Sequence, residues 1–385
     1  MKDSTYQWLP DRHLGVAATL AHADEIIGRL TDVLYEYQRQ PDGIIVLREE
    51  PAGDHSRTVV DRVAPMPRKI PLLVADALVA LRAALEHALF AEVEFMEGAP
   101  LEERAARLVD IPAAENFDAF AEWTRKKAKN GPASLQAGTE LVRRLEQLQP
   151  FQRTTDPAQH PLARLVLHTN HAKHRTPAVT AVRLVTMYRD DETPRSLRDV
   201  AQRPEEPLRV DDVIAETPMG ERVPVTLFPS IGLNRPGTDR WPVLMTELAE
   251  IADWVRAQAV PRLITGAEPM EPALPAHYEI AVGHADERRA LIDGSMTTSE
   301  MKYKERLGAT SARMDVPEWL SQMDGAPQAP QVSQWLDQLS DAEVLERVGR
   351  LTPSIDHDTG IMRRNVEVLE ALRDEAAAFA ERSEG

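Results

Sequence analysis

Apolar residues recur at Leu14, Val16, Ala17, Leu20, Ile26, Ile27, Leu30, Val33, Leu34 and Tyr37. This is close to a 3.6-residue period and predicts a helix over residues 13–40. Pro41-Asp42-Gly43 ends it, supplying a fixed φ and then a position that tolerates φ > 0. Two β-rich runs, 44–47 and 58–63, flank Pro51-Ala52-Gly53-Asp54 and predict a hairpin that Pro65 and Pro67 close. The strongest helical pattern covers 70–95, where Val74, Leu78, Leu81, Leu85 and Leu89 follow steps of 4, 3, 4 and 4. That stretch is apolar almost all round, broken only by Asp76, Arg82, Glu86 and His87, so it belongs in the middle of a bundle. Further helices are expected over 101–108, 116–129 and 132–148.

The middle of the chain changes character. Residues 178–188, 221–228 and 278–282 are β-like, and 239–259 is again helical. Pro261, Pro269, Pro272 and Pro275 then mark a linker, and 325–330 a second, shorter one. A last helix over 361–380 carries Met362, Val366, Leu369, Leu372, Ala376 and Phe379 on one face. The expected fold is mainly α: a helical bundle with a small β-hairpin and a minor β element over 1–262, followed by a helical C-terminal region over 277–385.

Composition narrows the function classes. With no cysteine among 385 residues, a disulfide scaffold, a thiolate zinc site and a cysteine nucleophile are excluded. No run of about 18 apolar residues exists, and residues 1–10 contain no apolar signal-peptide core, so a cytoplasmic protein without a membrane span is expected. The sequence shows no phosphate loop, GxGxxG, HExxH or GxSxG, and no cofactor is expected. The net charge, 45 − 62 = −17, argues against general polyanion binding. Charge is nevertheless uneven: residues 123–175 hold ten Lys/Arg against three Asp/Glu, while 321–385 hold six Arg against thirteen acids. The basic stretch is either a guide for a local anion or a solvated face.

Two constellations carry candidate chemistry. Arg82 and His87 fit an Arg-x4–6-His pattern, in which imidazole moves a proton near neutral pH and guanidinium stabilises a phosphate. The pattern is cheap, since Arg48/His55, Arg153/His160, Arg164/His171 and Arg350/His357 fit it too. An offset of five also turns the two side chains about 140° apart on a regular helix. The plain alternative is an Arg82–Glu86 ion pair beside a helix histidine. The second constellation runs His168-Thr169-Asn170-His171-Ala172-Lys173-His174-Arg175. It holds no carboxylate, and Lys173 and Arg175 repel a cation, so no metal site is expected. Phosphate or nucleic-acid contact suits its charges, as does a basic helix end complementing the helix dipole.

Together the two stretches resemble a family of uncharacterised bacterial proteins. The run from Pro71 through Leu81-Arg82-Ala83-Ala84-Leu85-Glu86-His87 is similar to that family's "LLxGDxLHNLRSALDH" signature. Gln149-Pro150-Phe151, His160-Pro161-Leu162 and Asn170-His171-Ala172-Lys173-His174-Arg175 are similar to its "QPY … HPL … NxDKHR". The likeness covers about residues 10–260 and departs at Ala75, Val79, Ala80, Glu86 and Ala172, where the family has Gly, His, Asn and two Asp. The family in turn is similar to HEPN-type helical proteins, many of them toxin or antiviral ribonucleases. That likeness implies a metal-independent endoribonuclease of a toxin or phage-defence system. Arg82 and His87 would be its catalytic pair, and Lys173, His174 and Arg175 would bind RNA. The rival expectation is a non-catalytic interaction or sensor subunit that binds a protein partner. Either way the all-round apolar helix suggests a homo-oligomer or a larger complex.

Overall fold

The structure is a computed structural model of the chain, described over residues 6–189, 200, 203–221, 223–267, 271–352 and 358–384. Pro269 and His357 lie outside the described residues, as do the first five positions of the N-terminal stretch. The chain forms two compact units.

The first unit spans residues up to 186, 203–221 and 227–300 of the described chain. Its helices are α1 (Leu14–Gln38), α2 (Lys69–Glu97), α3 (Glu103–Ala106), α4 (Phe117–Asn130), α5 (Glu140–Gln147), α6 (Pro161–His174), α7 (Leu244–Trp254), α8 (Val260–Thr265) and α9 (Glu287–Ile292). The start of α10 (Ser299–Ser321) also belongs to it. The β structure is minor. β1 (Ile45–Ala52) and β2 (His55–Val63) form the expected hairpin around a Gly53 turn at φ 70°, and β4 (Val213–Pro218) extends it as β1-β2-β4. β3 (Thr180–Arg189) pairs with β5 (Val225–Leu233). The fold is therefore mainly α with a small antiparallel component.

Helix α2 is the spine of this unit. It packs along α1 and against α6, α7 and α8. Ile70, Val74, Leu78, Leu81, Leu85 and Leu89 are sealed from solvent, each contributing about 1.5–3 kcal/mol of burial. This is the stripe that the 4-3-4-4 spacing marks. Gly98, at φ 71°, closes the helix in the left-handed conformation that glycine favours.

Several elements differ from the sequence reading. The helix expected over 132–148 is only a 3-10 turn, Ala133–Leu135, and α5; Gly138 at φ 85° separates them. The Thr139 side chain then caps α5 by accepting from Val142 N at 3.4 Å. The helix expected over 101–108 shrinks to the single turn of α3. Tyr278 does not begin a strand: only an isolated bridge joins His277 to Ser295. The proline-punctuated stretch is not an extended spacer either. Pro261, Leu263, Leu274, Pro275 and Ala276 are all buried in the first unit. Proline restricts φ, but nothing prevents its ring from packing. Pro261 follows a π turn, Val255–Ala259, which links α7 to α8 and absorbs its missing N–H.

The second unit contains 301–352 and 358–384, with 187–189, 200 and 223–226. The remainder of α10 belongs to it with α11 (Ala329–Asp337), α12 (Asp341–Val348) and α13 (Thr359–Glu384). Ala312, Val316, Leu320, Val332, Trp335, Leu336, Val344, Leu372 and Ala376 build its core. Ser340 and Glu343 form a capping box that fixes the start of α12. The apolar stripe of α13 splits: Leu369, Leu372, Ala376 and Phe379 pack on the core, while Met362 and Val366 stay exposed.

Candidate functional site

Arg82 projects from α2 toward α6. Its Nη1 donates to Thr169 Oγ1 and to Asn170 Oδ1, both at 2.8 Å, and its Nε stands 3.5 Å from Glu86 Oε1. Glu86 also accepts from Ile111 N at 3.3 Å. Burial pushes the Glu86 carboxyl above its ordinary range; Arg82 pulls it down and Asp110 adds to the rise. Arg82 thus serves as a clamp between two helices.

His87 lies elsewhere. α2 is an unbroken α-helix, so His87 points about 140° away from Arg82. It is exposed and makes no hydrogen bond or ion pair among the described residues. Lys173, His174 and Arg175 are likewise exposed at the end of α6 and find no carboxylate among the described residues. Arg82 meets residues 169 and 170, while 65–72 and 176–180 line one cavity, so α6 runs antiparallel to α2. His87 and Lys173 therefore lie on opposite sides of the Arg82 clamp, about 12 Å apart along the helix axes. The structure brings Arg82 to the basic end of α6 and leaves His87 out.

The three histidines of the second constellation also separate. His168 is buried, with Nε2 3.4 Å from Glu247 Oε1, whereas His174 is exposed. Much of the basic run is neutralised by acids distant in sequence. Lys127 is buried in a short ion pair with Asp110, Arg144 reaches Glu92, and Arg164 reaches Glu247 and Glu250. A charge run counted along the chain is not a charged surface once its members turn inward.

Two buried carboxylates, neither of them marked by any pattern in the sequence, organise the densest polar chemistry. Glu92 Oε1 accepts from Arg12 Nε at 2.9 Å and Nη2 at 2.7 Å, with His13 Nε2 2.6 Å away. Arg144 Nη1 stands 3.4 Å from the other Glu92 oxygen. Burial raises the Glu92 carboxyl, but hydrogen bonds from His13 and Arg12 outweigh it and leave it below the ordinary range. Glu247 Oε2 receives Arg164 Nη1 and Arg235 Nη2, each at 2.7 Å, and its Oε1 receives Arg235 Nε at 2.9 Å. Burial works against the Glu247 anion, yet bonding to His168, Arg235 and Arg164 holds it at about 2. Each glutamate is thus held by two arginines and a histidine. Both lie inside the fold, which suits a structural role.

His160 couples to the second cluster. Its Nδ1 accepts from Leu162 N at 3.1 Å and caps α6, and its ring meets Trp254 edge-on at 5.1 Å. Burial, then Arg153 and Arg164, lower it to about 4, so at neutral pH it keeps the lone pair the cap needs.

Arg144 ties Glu92 to the end of α8, donating to Leu263 O at 3.2 Å and Ile264 O at 2.7 Å. Gly266, at φ 69°, lets the chain turn there, and a Cβ on it would sit 2.8 Å from Arg144 Nε. Gly266→Ala is expected to cost about 1–2 kcal/mol of stability from the left-handed backbone alone. Urea denaturation of the variant checks this, and an unchanged midpoint would remove the argument.

No family model, curated protein or solved structure matches the chain. Its functional reading therefore rests on its own geometry.

Proposed function

We propose that this chain is a non-catalytic helical interaction protein that binds a protein partner. The observation that carries the reading is the placement of Arg82 and His87 on one unbroken helix, about 140° apart, with Arg82 held by Thr169 and Asn170. General acid–base cleavage needs both groups within hydrogen-bond reach of one phosphate, and this arrangement opposes it within a single chain. The same helix presents Leu72 and Val79, seven residues apart and so on one face, to solvent, apolar side chains that a partner would cover.

A second reading has one observation in its favour. His87 is exposed and unengaged among the described residues, so a second copy or a bound RNA has access to it. In that reading the protein is a HEPN-like endoribonuclease whose site two copies complete. A ribonuclease assay on wild type and His87→Ala, run across a range of protein concentrations, separates the two. The interaction reading expects no cleavage by either protein. Cleavage by wild type that rises with dimerisation and drops at least a hundredfold in His87→Ala would overturn it.

A further inference from the structure

The start of α2 and the connection from α6 to β3 enclose an open cavity of about 630 Å³. This is within the range of about 300–1,000 Å³ that small-molecule sites occupy. Its walls include Met66, Leu72 and Val179, and both Leu72 and Val179 are exposed, at 50% and 43%. Apolar walls left open to water favour an apolar occupant.

Charge fixes the other half of the ligand. Arg68 is the only charged residue lining the cavity among the described residues. It makes no ion pair among the described residues. Lys69 follows it in the chain, and Lys173, His174 and Arg175 lead into Thr176 on the opposite wall. None of these side chains has a carboxylate partner among the described residues, although acids outnumber bases by 17 in the chain. Asp76, one turn beyond Leu72, does not line the cavity. An unpaired guanidinium at Arg68 beside apolar walls is complementary to an anion carried on an apolar body. Among the described residues no aromatic side chain lines the cavity, so it offers no platform for stacked bases and suits nucleic acid poorly.

We propose that this cavity binds a small amphipathic carboxylate, with its head at Arg68 and its apolar chain against Met66, Leu72 and Val179. Leu72 also belongs to the face of α2 that the partner reading covers, so titration of the full chain with no partner present tests the cavity independently of that reading.

Calorimetric titration of the full chain with octanoate, octan-1-ol and acetate provides the experiment. Octanoate is expected to bind about five- to tenfold more tightly than octan-1-ol, as one exposed charge-assisted contact allows. Acetate, lacking six methylenes, is expected to bind more than tenfold more weakly than octanoate. Arg68→Gln should remove the preference for octanoate over the alcohol while leaving the alcohol unchanged, and Leu72→Asn should weaken both. Both residues are exposed, so the variants should retain the wild-type thermal midpoint. Equal binding of acid and alcohol, no binding of octanoate in the millimolar range, or indifference to both substitutions would each overturn the proposal. An oligouridylate 12-mer is the fourth titrant. If it displaces octanoate and Arg68→Gln abolishes its binding, the cavity is a nucleic-acid site instead.

Discussion

Replacing Glu247 with glutamine is expected to lower the unfolding free energy by about 3–5 kcal/mol, the cost of breaking a buried ion cluster from one side. Glu247 is 1% exposed and is the common acceptor for Arg164 and Arg235, themselves 4% and 6% exposed. Removing its charge leaves two guanidiniums in the interior with one carboxylate, Glu250, that reaches only Arg164. Arg164 Nε already lacks a partner among the described residues, so the cluster has no spare acceptor to offer. Urea denaturation gives the comparison, with Glu250→Gln as control, because Glu250 is exposed and its loss should cost at most about 1 kcal/mol. A loss below about 1 kcal/mol for Glu247→Gln would show that water reaches the cluster.

The second large effect is acid sensitivity in two stages. Glu247 is held at about 2 against an ordinary carboxyl of 4.5, so its contribution is complete above 4.5 and disappears as pH falls toward 2. The difference amounts to about 3 kcal/mol. Glu92 is shifted the same way and adds to the same limb. His160 acts earlier. Lowered to about 4 from 6.5, it stays neutral in the fold while the unfolded chain takes up a proton, so its contribution is lost as pH falls from 6.5 toward 4. Denaturation midpoints measured from pH 7 to pH 3 should therefore begin to fall below about 6.5 and fall more steeply below 4.5. His160→Asn, which retains a capping side chain, should flatten the upper stage only. A profile flat down to pH 4.5 in the wild type would contradict the burial of His160.

The elements most legible in the sequence are those whose pattern is local. The spacing of Val74, Leu78, Leu81, Leu85 and Leu89 marks the buried side of α2 because helical periodicity is set by neighbours within two turns. The hairpin follows from turn residues and alternation in the same way. β4 is not legible in the sequence because a six-residue strand preceded by Asp211 and Asp212 acquires its role only by pairing with β2, far away in the chain. The two glutamate clusters were illegible for the same reason. Glu92 draws on residues 12, 13 and 144, and Glu247 on 164, 168 and 235; no window of sequence contains either set. Arg82 was half legible: the Glu86 neighbour is a matter of helical spacing, while Thr169 and Asn170 are not. The proline-rich stretch reads as punctuation in the sequence, whereas Leu274, Ala276 and Tyr278 between and beyond the prolines supply enough apolar surface to hold it down.

The π turn at Val255–Ala259 also has a meaning in terms of chain length. A turn that bonds five residues back uses one residue more than an α-turn, so this segment behaves as a one-residue insertion absorbed inside a helix. The extra residue sets the angular phase of everything after it: an uninterrupted α-helix would place Leu263 and Ile264 about 100° further round. Their carbonyls would then no longer face Arg144, and Glu92 would lose the bridge that joins it to α8. In a lineage of related chains, the length of this segment would thus be constrained more tightly than its composition, since only Val255 and Ala259 of its five side chains are buried while all five positions are needed to keep the phase.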